Sequence, residues 1–307
     1  GVSAHTGEGI DELLESITLT AEMSEISAVV DKPAGLTSHD VVAKARKVLG
    51  TRKVGHSGTL DPDATGVLIL GVGRATRLLQ FLTLLPKSYK GEIVFGEDTS
   101  TLDSSGEITA TYDMTNLRPS GVREATKSFL GEIEQIPPMV SAVRIKGKRL
   151  YEIAREGNEV DRPSRSVRVD RFEVNPTDNP GVYEAFVDCS SGTYIRSLAA
   201  DLGSVLGGGA HLKNLRRTGV GSFREDEALP LEEMVLQKPI EGMRDFELVK
   251  VDEETRKEVS YGRVFERGRL EVKKEGPWAL VDYSGELLAV YKEHGDSIKP
   301  VVVIVDP

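Results

Sequence analysis

Residues 55–68 read GHSGTLDPDATGVL. This stretch combines one imidazole (His56) and two carboxylates (Asp61 and Asp63), which can transfer protons or attack an electrophile. Its glycines allow the backbone to approach a ligand closely. The apolar run over residues 67–70 is typical of a buried strand. The sequence therefore predicts a loop over residues 55–66 that leads directly into the interior of the fold, where functional loops commonly lie.

The segment ahead of this loop predicts a strand, a turn and a helix. Residues 28–30 (AVV) favour a strand, and residues 32–37 (KPAGLT) favour a turn. Ser38 is the expected N-cap of a helix that Gly50 ends. Its apolar positions keep helical spacing: Val41, Val42, Ala45, Val48 and Leu49. After the loop, residues 89–95 predict a further buried strand.

A second strand, turn and helix follow later in the chain. Residues 183–189 alternate as a strand does, residues 190–192 form a turn, and a helix follows that residues 207–209 (GGG) end. The apolar face of that helix comprises Ile195, Leu198, Ala199, Leu202, Val205 and Leu206. Residues 278–305 predict three short strands. Because strands and helices intermix without a βαβ rhythm, the pattern favours an α/β fold on a mixed sheet over a doubly wound one.

The composition is that of a globular protein without a membrane span. The chain has 307 residues, of which 39% are hydrophobic and 29% charged. No apolar run approaches the ~20 residues that a membrane helix needs. The single cysteine, Cys189, excludes an intramolecular disulfide and a multi-cysteine zinc site. Because no segment resembles a signal peptide, a cytoplasmic location is the simplest expectation.

The net charge of −10 argues at first against a nucleic-acid partner, since polyanions repel one another. The charges are unevenly distributed, however. Residues 32–90 carry +7, residues 141–171 carry +4 and residues 189–224 carry +4, whereas residues 225–307 carry −8. The three basic segments either converge on one positive face that could bind a polyanion or lie scattered over the surface. Charge counts leave both arrangements open.

Chemical interpretations of the loop compete with a plain Asp-Pro turn. A triad of Ser57, His56 and Asp61 is disfavoured, because sequence neighbours rarely reach triad geometry and no G-x-S-x-G elbow is present. The spacing Asp61-x-Asp63-x-Thr65 is similar to the DxDxT signature of haloacid-dehalogenase-type phosphotransferases, which use Mg²⁺. That signature normally ends a hydrophobic strand, and the residues before Asp61 are polar. The histidines include no closely spaced pair that would favour zinc.

Seven short motifs occur in order between residues 26 and 225. They are residues 31–38 (DKPAGLTS), 55–68, 87–89 (KSY), 137–144 (PPMVSAVR), 147–151 (GKRLY), 189–196 (CSSGTYIR) and 209–217 (GAHLKNLRR). Together they resemble the motifs of the TruB-type tRNA pseudouridine synthases, and the bacterial form is the nearest likeness. One such motif would be weak, whereas seven in the family's order are specific.

The resemblance implies an activity, a partner and a fold. The family isomerises one uridine in the T-arm loop of tRNA, position 55, to pseudouridine by breaking the N-glycosidic bond, turning the base and rejoining it through C5. It uses no metal or cofactor. The implied fold is α/β (α+β): a catalytic domain with a mixed, largely antiparallel sheet, then a small C-terminal β-rich PUA-like domain. The implied partner is the tRNA T-arm stem-loop, without a membrane or an obligatory protein partner, and a monomer is expected.

The resemblance also implies roles for individual residues. Asp61 matches the essential aspartate, which would attack C6 of the uracil or C1′ of the ribose, or help to form a glycal; all three routes stay open. The substrate-binding matches are the histidine that helps to flip the target nucleotide (His56), the aromatic that stacks on its base (Tyr89), a second aromatic (Tyr194), the arginine that pairs with the carboxylate (Arg196) and a pocket-lining leucine (Leu215). Flipping is required because a stacked base cannot reach an aspartate in a pocket.

Basic residues next to the motifs are the expected phosphate contacts, which supply affinity without choosing the base. They are Lys44, Arg46, Lys47, Arg52, Lys53, Lys146, Lys148, Arg149, Arg216 and Arg217. Lys32 and Pro33 belong to the first motif, which the resemblance expects to shape the site from behind.

The resemblance divides the chain into an extension over residues 1–22, a catalytic domain over residues 23–244 and the PUA-like domain over residues 245–307. Residues 2–14 are similar to the guanine-recognition segment of a translational GTPase such as initiation factor two. Because the sequence has no G-x-x-x-x-G-K-S/T loop, GTP binding is not expected. Met23 is the expected natural start of the enzyme.

Two rival functions stay open at this point. One is the Mg²⁺-dependent phosphotransferase that the DxDxT spacing suggests. The other is a tRNA chaperone or binding module without chemistry, against which the combination of Asp61, Tyr89 and Arg196 argues.

Overall fold

The computed structural model describes residues 26–306 except Ala142, Lys146, Gly157 and Glu159. The predicted extension, residues 1–22, lies outside them. The strands are β1 (Ile26–Lys32), β2 (Val54–His56), β3 (Thr65–Val72), β4 (Lys87–Phe95), β5 (Glu97–Thr99), β6 (Ile108–Thr111), β7 (Gly131–Gln135), β8 (Arg144–Ile145), β9 (Lys148–Arg149), β10 (Arg165–Pro176), β11 (Val182–Cys189), β12 (Ala210–Val220), β13 (Phe223–Arg224), β14 (Glu247–Lys250), β15 (Phe265–Glu266), β16 (Trp278–Val281), β17 (Leu287–His294) and β18 (Ser297–Val303). The helices are α1 (Ser38–Val48), α2 (Leu79–Leu82), α3 (Pro119–Thr126), α4 (Leu150–Arg155), α5 (Ile195–Val205) and α6 (Glu253–Ser260).

A mixed sheet forms the larger part of the described molecule. Its strands lie in the order β1-β3-β12-β4-β11-β10-β7, with β2 also paired to β3 and β13 to β12. Neighbouring strands are antiparallel except β3 and β12, which run parallel. The expected mixed, largely antiparallel sheet is confirmed. The strands predicted at residues 28–30, 67–70, 89–95 and 183–189 all lie within it.

The predicted N-cap of α1, Ser38, is wrong by one residue. Thr37 caps the helix: its hydroxyl accepts a hydrogen bond from Asp40 N at 3.0 Å, and Thr37 N donates to the Asp40 carboxylate at 2.8 Å. The hydroxyl of Ser38 is buried and instead accepts a hydrogen bond from Leu60 N at 2.8 Å. The first turn of α1 is therefore tied to the loop ahead of β3.

One row of residues crosses four adjacent strands at the centre of the sheet. Lys32 of β1 lies opposite Gly66 of β3, which in turn lies opposite Arg217 of β12. Arg217 lies opposite Tyr89 of β4. A Cβ at Gly66 would stand 2.2 Å from the Arg217 carbonyl oxygen, so only glycine permits this close approach of the strands. Because opposed residues project to the same face, Lys32, Arg217 and Tyr89 share one face of the sheet.

Helix α5 follows β11 after a turn at residues 190–192, as the sequence predicts. Its buried residues Leu198, Ala199 and Leu202 pack into a core with the sheet. This packing sets the first turn of α5, which carries Arg196, against the loop that carries Asp61.

A second, smaller sheet follows in the order β14-β16-β17-β18-β15 and contains the three strands predicted over residues 278–305. It packs against the segment after β3: the guanidinium of Arg74 donates to Ile304 O at 2.6 Å and pairs with Asp306 at 2.7 Å. Arg77 donates to Val303 O at 2.9 Å. The C-terminal β-rich part is thereby fixed to the larger sheet.

Candidate active site

Asp61 lies in the loop of residues 57–64 that connects β2 to β3. This loop is shorter at both ends than the predicted range of residues 55–66, because His56 still belongs to β2 and Thr65 already belongs to β3. Ala64 N donates to Asp61 O at 3.1 Å, which closes a tight turn around the Asp-Pro pair. The side chain of Asp61 is 40% exposed. The carboxylate therefore stands at the surface of a rigid turn.

The first motif braces this turn from behind, as the resemblance implies. The buried Lys32 ammonium donates to the carbonyl oxygens of Pro33 at 2.9 Å, Pro62 at 3.0 Å and Ala64 at 2.5 Å. Gly35 N donates to Pro62 O at 3.0 Å. Burial lowers the pKa of Lys32 to about 8. One side chain thus holds the backbone that directly follows Asp61 against the first motif.

Substituting Lys32 by methionine (Lys32→Met) is expected to destabilise the protein by about 1–3 kcal/mol, because the buried Ala64 carbonyl loses its Lys32 donor and Pro62 O keeps only the bond from Gly35 N. Urea unfolding at neutral pH measures the loss. Lys44→Met, at an exposed position of α1, is the control and should change the unfolding free energy by less than about 0.5 kcal/mol. Equal stability of the two variants would contradict the bracing role.

Arg196 holds the Asp61 carboxylate with two nitrogen atoms. Its Nη2 donates to Oδ1 at 3.1 Å, and its Nε lies 3.0 Å from Oδ2. The Arg196 side chain is only 4% exposed. The guanidinium is fixed in turn by the carbonyl oxygens of Thr101 at 2.9 Å and Val140 at 2.8 Å. The carboxylate is thereby oriented from the interior while part of it stays open to a substrate.

Asp103 is a second carboxylate at this arginine, and the sequence analysis missed it. Its Oδ2 lies 3.5 Å from Arg196 Nε. Its Oδ1 accepts hydrogen bonds from Thr101 Oγ1 at 2.5 Å and Ser105 N at 3.1 Å. Asp103 lies outside the seven motifs, in a turn of ordinary Ser/Thr/Gly composition, so the local sequence carries no sign of its place beside Arg196.

The protonation of Asp61 depends on these neighbours. Burial raises the pKa of the Asp61 carboxyl above its ordinary value, and Asp103 adds to the rise. Arg196 acts in the opposite direction, because a guanidinium stabilises the ionised form. The three side chains form one electrostatically coupled group, in which the positive charge of Arg196 reduces the repulsion between the Asp61 and Asp103 carboxylates.

Tyr194 is fixed through its backbone by a residue that the sequence analysis also missed. The buried Gln135 at the end of β7 accepts from Tyr194 N at 2.7 Å and donates to Tyr194 O at 3.0 Å. The Arg165 guanidinium lies 5.5 Å from the centre of the Tyr194 ring. Because Tyr194 is the N-cap residue of α5, this clamp also fixes the turn that carries Arg196. Gln135 lies two residues before the 137–144 motif, and this proximity was the available signal.

Tyr89 is half-buried and packs against the core that includes α5. Burial raises the pKa of the Tyr89 hydroxyl, so the phenol is neutral near pH 7. The charge of the buried Arg217 side chain, opposite Tyr89 in the sheet, lowers this pKa in opposition. Leu215, two residues before Arg217 on β12, is half-buried against the same core.

His56 is the last residue of β2 and is half-buried. Its Nδ1 accepts a hydrogen bond from Gly58 N at 3.2 Å, which leaves the other ring nitrogen to carry the proton of a neutral imidazole. Burial lowers the pKa of His56, so the ring is neutral near pH 7. A flat, uncharged ring therefore stands at the entrance to the Asp61 loop.

Two of the predicted phosphate contacts are used inside the protein. Arg217 is 1% exposed and donates to Val67 O at 2.8 Å. Arg216 binds both oxygens of Asp31 at 3.0 Å and Glu225 at 2.6 Å. The prediction that Arg217 contacts phosphate is wrong, because its side chain is buried. For the half-buried Arg216, which pairs with two carboxylates, phosphate contact stays a prediction.

The basic segments are less exposed than their charge counts indicate. Among the side chains that the structure describes, four of their cations are buried: Lys32, Lys87, Arg196 and Arg217. Arg46 is half-buried and donates to Val54 O at 2.9 Å. Four other predicted contacts are exposed on α1 and the turn after it, and we term them the α1 basic edge: Lys44, Lys47, Arg52 and Lys53. Lys146 and the side chains of Lys148 and Arg149 lie outside the described part of the chain.

Other kinds of site find little support in the described residues. Between residues 26 and 306, apart from the four undescribed positions, no three His, Cys, Asp or Glu side chains are grouped so that they could hold a metal ion. The same part of the chain has no helix long and apolar enough to cross a membrane. Burial raises the pKa of the Cys189 thiol to about 12, so this cysteine is not a nucleophile.

Two family models match this chain. The family described as "TruB family pseudouridylate synthase (N terminal domain)" matches residues 46–195. The family described as "tRNA pseudouridylate synthase B C-terminal domain" matches residues 196–241.

Curated relatives named tRNA pseudouridine synthase B match most of the chain, as two of them show. The protein of Mycobacterium sp. (strain KMS) is 42% identical over 285 residues, which cover 90% of this chain and 95% of the relative. The protein of Streptococcus thermophilus (strain CNRZ 1066) is 42% identical over 295 residues, which cover 91% and 99%. A solved structure described as "Crystal Structure of a Cbf5-Nop10-Gar1 Complex" superposes with a TM-score of 0.72 at 27% identity, covering 95% of this chain and 86% of the other.

Proposed function

Because this chain belongs to the TruB family of pseudouridylate synthases, we propose that it isomerises the uridine at position 55, in the T-arm loop of tRNA, to pseudouridine. At the coarser level the chain is a tRNA-modifying isomerase, since relatives named tRNA pseudouridine synthase B match nine tenths of it. The finer proposal rests on one observation above all. Asp61 is a partly open carboxylate that Arg196 orients from the interior with two contacts.

The proposed reaction needs such a carboxylate and no external reactant. The C1′–N1 bond breaks, the base turns, and a C5–C1′ bond forms; C5 loses one proton and N1 gains one. Asp61 attacks C1′ or C6, or removes a ribose proton on the way to a glycal, and each route needs the ionised side chain. Fixing Asp61 before the substrate arrives lowers the entropic part of the barrier.

The other site residues have roles in exposing and holding the base. The target base must leave the T-arm loop before it can reach Asp61. We assign to the neutral ring of His56 the space that the flipped base vacates. Tyr89 stacks on the flipped base and assists proton transfer, while Tyr194 and Leu215 line the pocket. The half-buried positions of Tyr89 and Leu215 on adjacent strands support this arrangement.

Release of tritium tests the proposed activity. A T-arm stem-loop with 5-tritiated uridine at the target position should release tritium to water, because C5 exchanges its hydrogen for a bond to C1′. Chemical derivatisation of the product then identifies pseudouridine. EDTA should leave the rate unchanged, whereas a Mg²⁺-dependent phosphotransferase would lose activity. Binding of the stem-loop without tritium release would contradict the proposal and favour an RNA-binding module.

The α1 basic edge is expected to contribute phosphate contacts, because its four side chains are exposed and lead toward the strand that carries His56. Replacing all four by glutamine should reduce the slope of log K against log salt by about 2–3. A salt titration of stem-loop binding measures the slope. Replacing four exposed lysines of the C-terminal part, Lys250, Lys257, Lys273 and Lys292, should leave it nearly unchanged. The same change in both variants would contradict this assignment.

The organisation of the chain remains part of the proposal. We divide it into the extension over residues 1–22, the catalytic domain over residues 23–244 and the β-rich PUA-like domain over residues 245–307. The start of β14 at Glu247 supports the second boundary. The proposed enzyme is a cytoplasmic monomer whose partner is tRNA and which requires no cofactor.

A further inference from the structure

Three positively charged side chains lie buried on the face of the sheet that carries Tyr89, and we term them the buried cations. Lys32 is 0% exposed, Lys87 6% and Arg217 1%. Burying a charge costs free energy unless a charge of opposite sign accompanies it. Three such groups in one region therefore require an explanation beyond ordinary packing.

Backbone carbonyls, rather than carboxylates, anchor the buried cations. The three bonds of Lys32 described above all go to carbonyl oxygens. Lys87 Nζ donates to the carbonyls of Thr83 and Leu85. Arg217 donates to Val67 O and, at 3.3 Å, to Gly58 O. Carbonyl dipoles orient these cations without cancelling their charge, so the region behind the pocket keeps a positive potential.

The sheet register concentrates this potential at Tyr89. Arg217 lies directly opposite Tyr89, and Lys87 lies two residues before it on the same face of β4. Lys32 lies two strands beyond Arg217, separated only by Gly66. The charge of Arg217 also reaches its neighbours: it lowers the pKa values of Lys32, Lys87, His56 and Tyr89.

The open side of the site, around Asp61, has a different balance of charges. There Arg196 faces two carboxylates, Asp61 and Asp103, so its charge is compensated. Near pH 7 His56 and Tyr89 are neutral. Lys32 also faces Asp61 and Asp63, whose charges raise its pKa. The uncompensated positive charge therefore lies chiefly at Arg217 and Lys87, behind Tyr89.

We propose that the buried cations stabilise the uracil anion that forms when the glycosidic bond breaks, with Arg217 as the main contributor. This inference rests on the proposed function. In each route open to Asp61, the electron pair of the C1′–N1 bond stays with the base, and its negative charge spreads over O2 and O4. That charge is lost when C5 bonds to C1′, and the C5 proton then moves to N1, so atoms and charge balance.

The physical basis is preorganisation. Charges fixed in a buried region act on a developing anion without having to reorient during the reaction. A base stacked on Tyr89 would lie next to the Arg217 guanidinium. Arg217 is therefore a positioning and electrostatic residue for the base that departs, and it should affect bond cleavage more than RNA binding.

A better leaving group tests this role. Replacing O4 of the target uridine by sulfur (4-thiouridine) stabilises the departing anion, because sulfur spreads negative charge more readily than oxygen. Single-turnover rates are compared for stem-loops with uridine or 4-thiouridine at the target. Arg217→Gln should slow the uridine substrate by about 100-fold and the 4-thiouridine substrate by only about tenfold. Arg217→Lys should recover most of both rates, with the Kd for RNA unchanged in either variant.

Arg216→Gln is the matched control, since Arg216 is the adjacent arginine on the same strand and Asp31 and Glu225 already compensate its charge. It should slow both substrates equally. If Arg217→Gln does not fold, Lys87→Gln should show the same preference at smaller size. Equal slowing of both substrates by Arg217→Gln, or by Lys87→Gln in its place, would overturn the inference. Inactivity of the wild type on uridine would instead overturn the proposed function.

Discussion

Replacing Asp61 by asparagine (Asp61→Asn) is expected to lower the single-turnover rate by at least about 10⁴-fold. The amide keeps the size of the side chain and one oxygen that can accept from Arg196 Nη2, but it cannot act as a nucleophile or a base. The fold should persist, because Asp61 is 40% exposed and its loop is held through backbone carbonyls that Lys32 and Gly35 bind. The Kd for the T-arm stem-loop should change by less than about threefold, since phosphate contacts supply most of the affinity.

Asp63→Asn is the matched control for this experiment. Asp63 lies two residues further along the same turn and is exposed. Its substitution removes the same charge from the same loop and should change the rate by no more than a few-fold. A comparable loss in both variants would indicate that the charge of the loop matters rather than the Asp61 carboxylate. Full activity of Asp61→Asn would refute the proposed mechanism.

Removing the guanidinium of Arg196 (Arg196→Met) has the second largest expected effect, a rate loss of about 10²–10³-fold. Without it, Asp61 loses both of its contacts and faces Asp103, whose charge opposes ionisation of a second carboxylate. The pKa of Asp61, which burial already raises, should rise further. Because the ionised form is active, the rate falls as the pH drops through that pKa. The pH–rate profile should therefore lose activity at a higher pH in the variant than in the wild type.

The coupling with Asp103 separates this electrostatic effect from simple damage to the fold. Arg196 also donates to Thr101 O and Val140 O, and its loss should cost about 3–5 kcal/mol of stability, so rates are compared below the unfolding transition. Adding Asp103→Asn to Arg196→Met removes the repulsion and should move the acid limb back toward lower pH. An acid limb at the same pH in the single and double variants would contradict the coupled group.

Local sequence patterns reveal some parts of the fold and the site but not others. The strands around the loop and helix α5 were predictable, because apolar periodicity and glycine punctuation act over a few residues. The N-cap of α1 was misplaced because Ser38 and Thr37 are both good caps, and only the contact of Ser38 with Leu60 settles which one the helix uses. Gln135 and Asp103 were missed because their contacts are not local. Gln135 binds Tyr194, and Asp103 lies beside Arg196, in each case across a long stretch of chain.

Local sequence patterns are enough to identify the family, the order of the elements and the residue types at the site, because motifs such as 55–68 and 189–196 extend over a few residues. Which charges face one another depends on the packing of the whole fold. Arg196 contacts Asp61 across 135 positions of the chain. The adjacent Arg216 and Arg217 have different surroundings: carboxylates compensate the charge of Arg216, whereas Arg217 is buried among carbonyls. The reason is physical: the free energy of a charge depends on its burial and its neighbours, which only the packed sheet and its register determine.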